Sequence, residues 1–383
     1  MKEDAKTTEL TLTPLEEYKC GLANLLQHSR LWDSDTHEEK NRILQGLKCP
    51  VPTIRLFKYY GITVANHVLE NLATGQLSLT NPVRFNDPFD GLLYVNEEVV
   101  RRTFEEFSLD KFKECITAVR TGTQLDVFKD VGFAAVIKQL AKESDESLNK
   151  IYSNFDEVKN RGITSLFDQI PRWMRSRVRV CCFSESGVSP LMWAHYAQVG
   201  KGICIEYELP TISQSEWVGF PSKRGILMSL IPVLYSRDRY DATHIVAEKA
   251  QLINAVAMNV ERNLDLSCHD QLAYLKMTIF KSSDWGYEKE WRLFAMTFSG
   301  GGGDPDYVSI PAPIMKRVIF GNDMNSDVVT DVVTALSRYA KLVNCTIPIQ
   351  RLVVDTHSKD YLLNVQNIAE IGPSNTVITA KGA

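Results

Sequence analysis

Two carboxylates, Glu288 and Glu290, lie two residues apart in Tyr287-Glu288-Lys289-Glu290-Trp291-Arg292, a run that continues Leu293-Phe294-Ala295-Met296. Alternate side chains of a strand share a face, so a strand here aims both carboxylates one way and sets Trp291, Leu293 and Ala295 together on the other. Like charges side by side repel, which can raise the pKa of one of them. A pair so placed suits gripping a sugar hydroxyl or steadying a developing cation. On this stretch alone the plainer reading is a solvated strand edge with Arg292 as counter-ion, because perturbed carboxylates mark sites only probabilistically.

Three further blocks are dense in aromatic, polar and turn residues. Leu56-Phe57-Lys58-Tyr59-Tyr60 is a strand with a lysine between aromatics. Arg84-Phe85-Asn86-Asp87-Pro88-Phe89-Asp90 is a rigid turn, because Pro88 forces Asp87 into an extended conformation. Asn86 and Asp87 equally suit capping the turn's own amides or meeting a ligand. Cys182-Phe183-Ser184 ends a buried strand, a common place for functional side chains, and Leu191-Met192-Trp193-Ala194-His195-Tyr196 follows it on a short helix. Met192 and Trp193 read as core there, and His195 alone reads as a satisfied core histidine.

One basic stretch stands out, Pro171-Arg172-Trp173-Met174-Arg175-Ser176-Arg177-Val178-Arg179. As a strand it puts Arg175, Arg177 and Arg179 on one face, with Arg172 and an aromatic nearby, which suits a phosphate backbone or a base. A solvated edge that repels wrong pairing fits equally.

The elements around these blocks give a mixed α+β chain. Thr13-Pro14-Leu15-Glu16 is a capping box that starts a helix to about His28, and Asp35-Thr36-His37-Glu38 starts a second that Gly46 stops. Residues 1–50 form an N-terminal helical extension, closed by the linker Cys49-Pro50-Val51-Pro52. Residues 51–371 hold the main domain, with strands at 54–59, 76–79, 178–183, 203–207, 232–235, 291–298, 306–310, 317–320 and 351–355. Helices are expected near 65–73, 190–200 and 244–264. Residues 97–157 repeat Leu, Phe and Ile at helical spacing and read as an inserted helical lobe. Residues 372–383 read as a flexible tail. The Ser299–Gly303 glycine run is a turn, lacking the following helix and Gly-Lys-Ser/Thr pattern of a phosphate loop.

Composition narrows the class. At 383 residues, 44% hydrophobic and 23% charged, the chain is an ordinary globular protein of one large or two smaller domains, and its net charge of −4 argues against wholesale polyanion binding. Its 8 cysteines form no zinc-ligand spacing. The amino terminus is too polar for a signal peptide and no apolar run reaches spanning length, so a cytoplasmic protein with reduced thiols is expected and no membrane partner.

Together, FNDPFD, CFS with MWAHY and a following Gly-Lys-Gly, and YEKEWR resemble a widespread bacterial domain family of unknown function, over residues 54–355. More distantly, the order of the blocks is similar to the ADP-ribosyltransferase fold, a split β-sheet core. That resemblance implies NAD as substrate. Lys58 and Tyr59 would meet the dinucleotide, Ser184 would orient the middle strand, and Glu290 would be the catalytic glutamate. Glu288 would accept a proton from the incoming nucleophile, and Tyr59 or Tyr196 would stack on nicotinamide. Asn86 joins this set, with His195 bonding a ribose or phosphate. The opening strand departs from the family's Arg or His by offering Lys58, and the middle block is Cys-Phe-Ser rather than Ser-Thr-Ser. The implied function is transfer of ADP-ribose to RNA, DNA or protein, as a toxin or anti-phage defence effector, with an antitoxin or regulatory protein as a further partner. Two alternatives compete with it: a metal-dependent nuclease or phosphodiesterase using Asp87, Asp90, Glu288, Glu290 and His195, and a non-catalytic ligand-sensing module.

Overall fold

A computed structural model describes residues 12–29, 36–62, 67–102, 108–122, 137–211, 228–247, 272–296, 307–311, 314–374 and 377–379. Ten helices are named here: α1 Pro14–His28, α2 His37–Gly46, α3 Val68–Thr74, α4 Glu97–Arg102, α5 Leu109–Arg120, α6 Asp145–Ser153, α7 Phe155–Ser176, α8 Pro190–Tyr196, α9 Ala273–Ile279 and α10 Ser326–Val343. The strands are β1 Thr53–Tyr60, β2 Gln76–Thr80, β3 Val178–Ser184, β4 Ile203–Pro210, β5 Met228–Pro232, β6 Leu234–Ser236, β7 Phe280–Ser282, β8 Glu290–Met296, β9 Tyr307–Pro311, β10 Ile314–Phe320, β11 Ile347–Val354, β12 Leu363–Ile371 and β13 Val377–Thr379. The fold is mixed α+β.

Eleven of the strands form one mixed sheet that forks at β3. One edge of β3 is followed by β8, from Val178 opposite Met296 to Ser184 opposite Glu290. The other edge is shared: β2 meets it at Val180, through Thr80, and β1 meets it at Ser184, through Phe57. From β1 the sheet continues through β4, β10, β11, β12 and β13, and from β2 to β9. Where β1 and β2 part, a β3 carbonyl loses its ladder partner and must find another donor. Lys58 Nζ donates to the Cys182 carbonyl at 3.2 Å.

Sequence patterns explain the frame. Both expected capping boxes form, Thr13 with Glu16 and Thr36 with Glu39. Gly75 ends α3 in the left-handed conformation that glycine adopts without a Cβ penalty. Leu56, Ile205, Tyr207, Trp291, Leu293 and Val318 pack with Leu336 of α10 in the main core. Leu22, Leu26 and Ile43 of α1 and α2 join Met277, Ile279 and Phe294, so the N-terminal helices are built into the domain. The helical lobe has its own core of Val100, Phe112, Ile116, Leu148 and Ile163.

Three expectations change. The lobe does not stop near residue 157, because α7 runs 22 residues to Ser176. The stretch 172–176 is therefore helical: Arg172 and Arg175 lie on α7, Arg177 caps it, and Arg179 alone is on a strand. Arg179 is buried and donates to the carbonyls of Ser176 and Val178, so no common arginine face exists. The tail is also partly ordered, with β13 pairing to β12 from Ala369 to Ile371. The turn expected at 299–303 and nearly all of the helix expected at 244–264 lie outside the described residues. Among the described helices none is long and apolar enough to cross a membrane.

Candidate functional site

A cavity of about 370 Å³ opens at the fork of the sheet. Lys58 and Tyr59 reach it from β1, Ser184 from the end of β3, Asn86 from the rigid turn, and His195 and Tyr196 from α8. Glu288 and Glu290 also line it, together with Lys281. The residues proposed for NAD thus gather in one place, while the four arginines and the two aspartates, Asp87 and Asp90, are not among those that line it.

The carboxylate pair arrives there by a different route from simple strand alternation. Residues 283–288 form a 3-10 helix, and Lys289 takes a left-handed backbone (φ 44°, ψ 54°) before β8 begins at Glu290. The two carboxylates still converge, because one cation holds both. Lys281 Nζ lies 2.5 Å from Glu288 Oε2 and 3.0 Å from Glu290 Oε2. Arg292 donates to Glu290 Oε1 at 2.8 Å through Nε and to Oε2 at 3.1 Å. The same guanidinium binds Asp90 through both of its terminal nitrogens. The counter-ion expected at a solvated edge is thus a fully buried one.

These contacts separate the pair electrostatically. Burial raises the Glu288 carboxyl above its ordinary range, the charge of Glu290 adds to this, and Lys281 only partly opposes it. Burial pushes Glu290 the same way, but the charges of Arg292 and Lys281 outweigh it and hold that carboxyl well below the usual range. Glu290 therefore stays ionised, while Glu288 is the member suited to exchanging a proton. Tyr196 donates to Glu288 Oε1 at 2.5 Å and accepts from Asn86 Nδ2 at 3.2 Å.

Other proposed residues serve as supports. Ser184 Oγ donates to the Glu288 carbonyl at 2.7 Å and is almost fully buried. Tyr59 gives its hydroxyl to the Ser186 carbonyl and packs edge-on against Trp193, at 5.4 Å, so its ring belongs mainly to the core. That corrects its expected role as a free stacking platform. His195 is exposed rather than a core histidine, with its Nδ1 3.4 Å from the Tyr287 hydroxyl. Asp87 caps its own turn, accepting from the Phe89 amide at 2.9 Å.

The structure adds Lys281, which the sequence offers only as Phe280-Lys281-Ser282, a short strand with no motif around it. Its place follows from β7 pairing with β6 and from the 3-10 turn that folds Glu288 back over it. Arg84 also lines the cavity.

Residues 192–293 match the family model described as protein of unknown function, DUF2971. The DUF2971 segment holds His195, Tyr196, Lys281 and both glutamates, and leaves out Lys58, Asn86 and Ser184. No curated protein and no solved structure matches the chain.

A divalent-metal centre would need Asp87, Asp90, Glu288, Glu290 and His195 to converge. Instead, Arg292 engages Asp90 and Glu290, and Lys281 engages both glutamates. Among the described residues no group of three His, Cys, Asp or Glu is arranged to hold an ion.

Proposed function

We propose that the protein is an NAD-dependent ADP-ribosyltransferase that modifies a macromolecule, nucleic acid or protein, in the setting of a toxin or anti-phage defence effector. The observation that carries this is the carboxylate pair, Glu288 and Glu290, bridged by Lys281 at a cavity in the sheet fork. A cavity of about 370 Å³ is in the range of small-molecule sites.

The chemistry asks for what the cluster supplies. Arg292 and Lys281 hold Glu290 ionised at the cavity wall, so its carboxylate is a negative charge fixed in place. A fixed negative charge steadies the oxocarbenium-like state formed as the nicotinamide–ribose bond breaks. The bonding electrons leave with nicotinamide, the acceptor's nucleophile bonds to the same ribose carbon, and its proton passes to Glu288. Of the three cations on the cavity wall, Lys281 is held by the glutamates, and Lys58 and Arg84 are the ones suited to the pyrophosphate. Asn86 and Tyr196 suit the ribose hydroxyls, and His195, beside Tyr287 at a ring separation of 5.8 Å, suits a flat ring.

The test is nicotinamide release from NAD by purified protein supplied with cell lysate as the source of acceptor. Wild type should release it, and Glu288→Gln and Glu290→Gln should not while melting cooperatively. Equal release by all three proteins would overturn the assignment.

A further inference from the structure

The ladder between β5 and β8 stops one residue short of the carboxylate pair, where Pro232 stands opposite Trp291. Proline has no amide to give, and β5 ends there. Beyond it the Val233 amide still donates to the Glu290 carbonyl at 2.8 Å. In a continued ladder a β5 carbonyl would accept the Glu290 amide in return. Here a side chain does so instead: Tyr235 Oη accepts from it at 2.8 Å.

Tyr235 comes from β6, whose parallel pairing with β7 sets it opposite Lys281. One short ribbon therefore supplies two holds on Glu290, Lys281 on its carboxylate at 3.0 Å and Tyr235 on its main chain. Glu290 is buried, so its amide would be costly to leave without an acceptor. The residue before it, Lys289, is left-handed, so no regular strand leads into Glu290 to fix its backbone from that side. Burial, with the charges of Glu290 and Glu288 added, pushes the Tyr235 phenol above its ordinary range and keeps it neutral.

We propose that Tyr235 is a positioning residue for Glu290: its hydroxyl replaces the missing strand partner and fixes the main chain from which the carboxylate projects to the cavity. The proposal takes its reaction from the transferase reading, whereas the hold on Glu290 belongs to the fold alone.

Tyr235→Phe deletes the accepting oxygen and keeps the ring. Nicotinamide release at varied NAD, with a fixed amount of cell lysate, should show kcat lowered by about tenfold and KM for NAD changed by less than about twofold. A carboxylate that acts on charge developing in the transition state affects kcat when it is misplaced, and a misplacement of about 1 Å can cost about 100-fold. A hydrogen bond with only a structural role would lower the melting temperature and leave kcat unchanged. That result would overturn the proposal, as would a loss carried entirely by KM. Hydrogen exchange separates this test from the reading it rests on. The Glu290 amide should exchange at least about tenfold faster in Tyr235→Phe, while amides deeper in β8 keep their rates. Equal exchange at Glu290 overturns the proposal whether or not NAD is consumed. Faster exchange at Glu290, with no nicotinamide released by wild type, would overturn the transferase reading and support the hold on Glu290.

Discussion

Arg292 grips Asp90 through both terminal guanidinium nitrogens, at 2.8 and 2.5 Å, across 202 residues of sequence. This one contact joins the FNDPFD turn to the YEKEWR strand. It also fixes the guanidinium that keeps Glu290 ionised, so the turn reaches the carboxylate pair without touching it. Bidentate pairing is the geometry in which an arginine most restricts its partner.

Removing Arg292 should be severely destabilising. Breaking a buried ion pair from one side leaves uncompensated charge, at a cost of about 3–5 kcal/mol. Arg292→Met should therefore shift the urea midpoint far down, and the double variant Asp90→Asn/Arg292→Met should recover part of the loss. A midpoint unchanged in Arg292→Met would show that the network contributes nothing to folding.

Glu288 gives the reaction an acid limit. As the proton acceptor it must be ionised, and its pKa is raised, so activity should fall as pH drops and reach half at a pH above the ordinary glutamate value of 4.5. The Tyr196 hydrogen bond lowers that pKa. Tyr196→Phe should therefore move the acid limb of kcat/KM to higher pH; an unmoved or lower limb would show that Tyr196 does not act on Glu288. Glu290 carries the opposite sign for stability. Its depressed pKa contributes stability that is present above 4.5 and lost as pH falls toward its folded value.

Lys289 holds a left-handed backbone that L-residues other than glycine adopt at a cost of about 1–2 kcal/mol. Lys289→Gly should be close to neutral in stability, because relief of that strain offsets glycine's extra chain entropy. Lys289→Val should lose at least about 1 kcal/mol, since a β-branched side chain is the least tolerant of this region. Denaturant midpoints for the two variants decide it, and equal midpoints would contradict the argument.

Much of the frame is legible in the sequence for local reasons. The two capping boxes and the glycine stop of α3 each depend on residues within a turn or two of one another. The arginine stretch misleads because its alternating spacing reads as a strand. The helix continues through Pro171, and its buried residues include Ile163 and Met174. The role of Lys281 is not legible at all. It depends on the positive φ at Lys289 and on the pairing of β6 with β7, neither of which leaves a sequence signal. The pairing of Asp90 with Arg292 is equally hidden, because nothing local links residues so far apart.

The most direct measurement of the central claim follows labelled ADP-ribose from NAD into a cell lysate, with wild type and Glu290→Gln run side by side. The account predicts label on RNA, DNA or protein with wild type alone, which would also name the acceptor class. No NAD binding and no transfer by wild type, with the lysate's macromolecules present, would contradict it. A ligand-induced rise in melting temperature without turnover would then favour a sensing module.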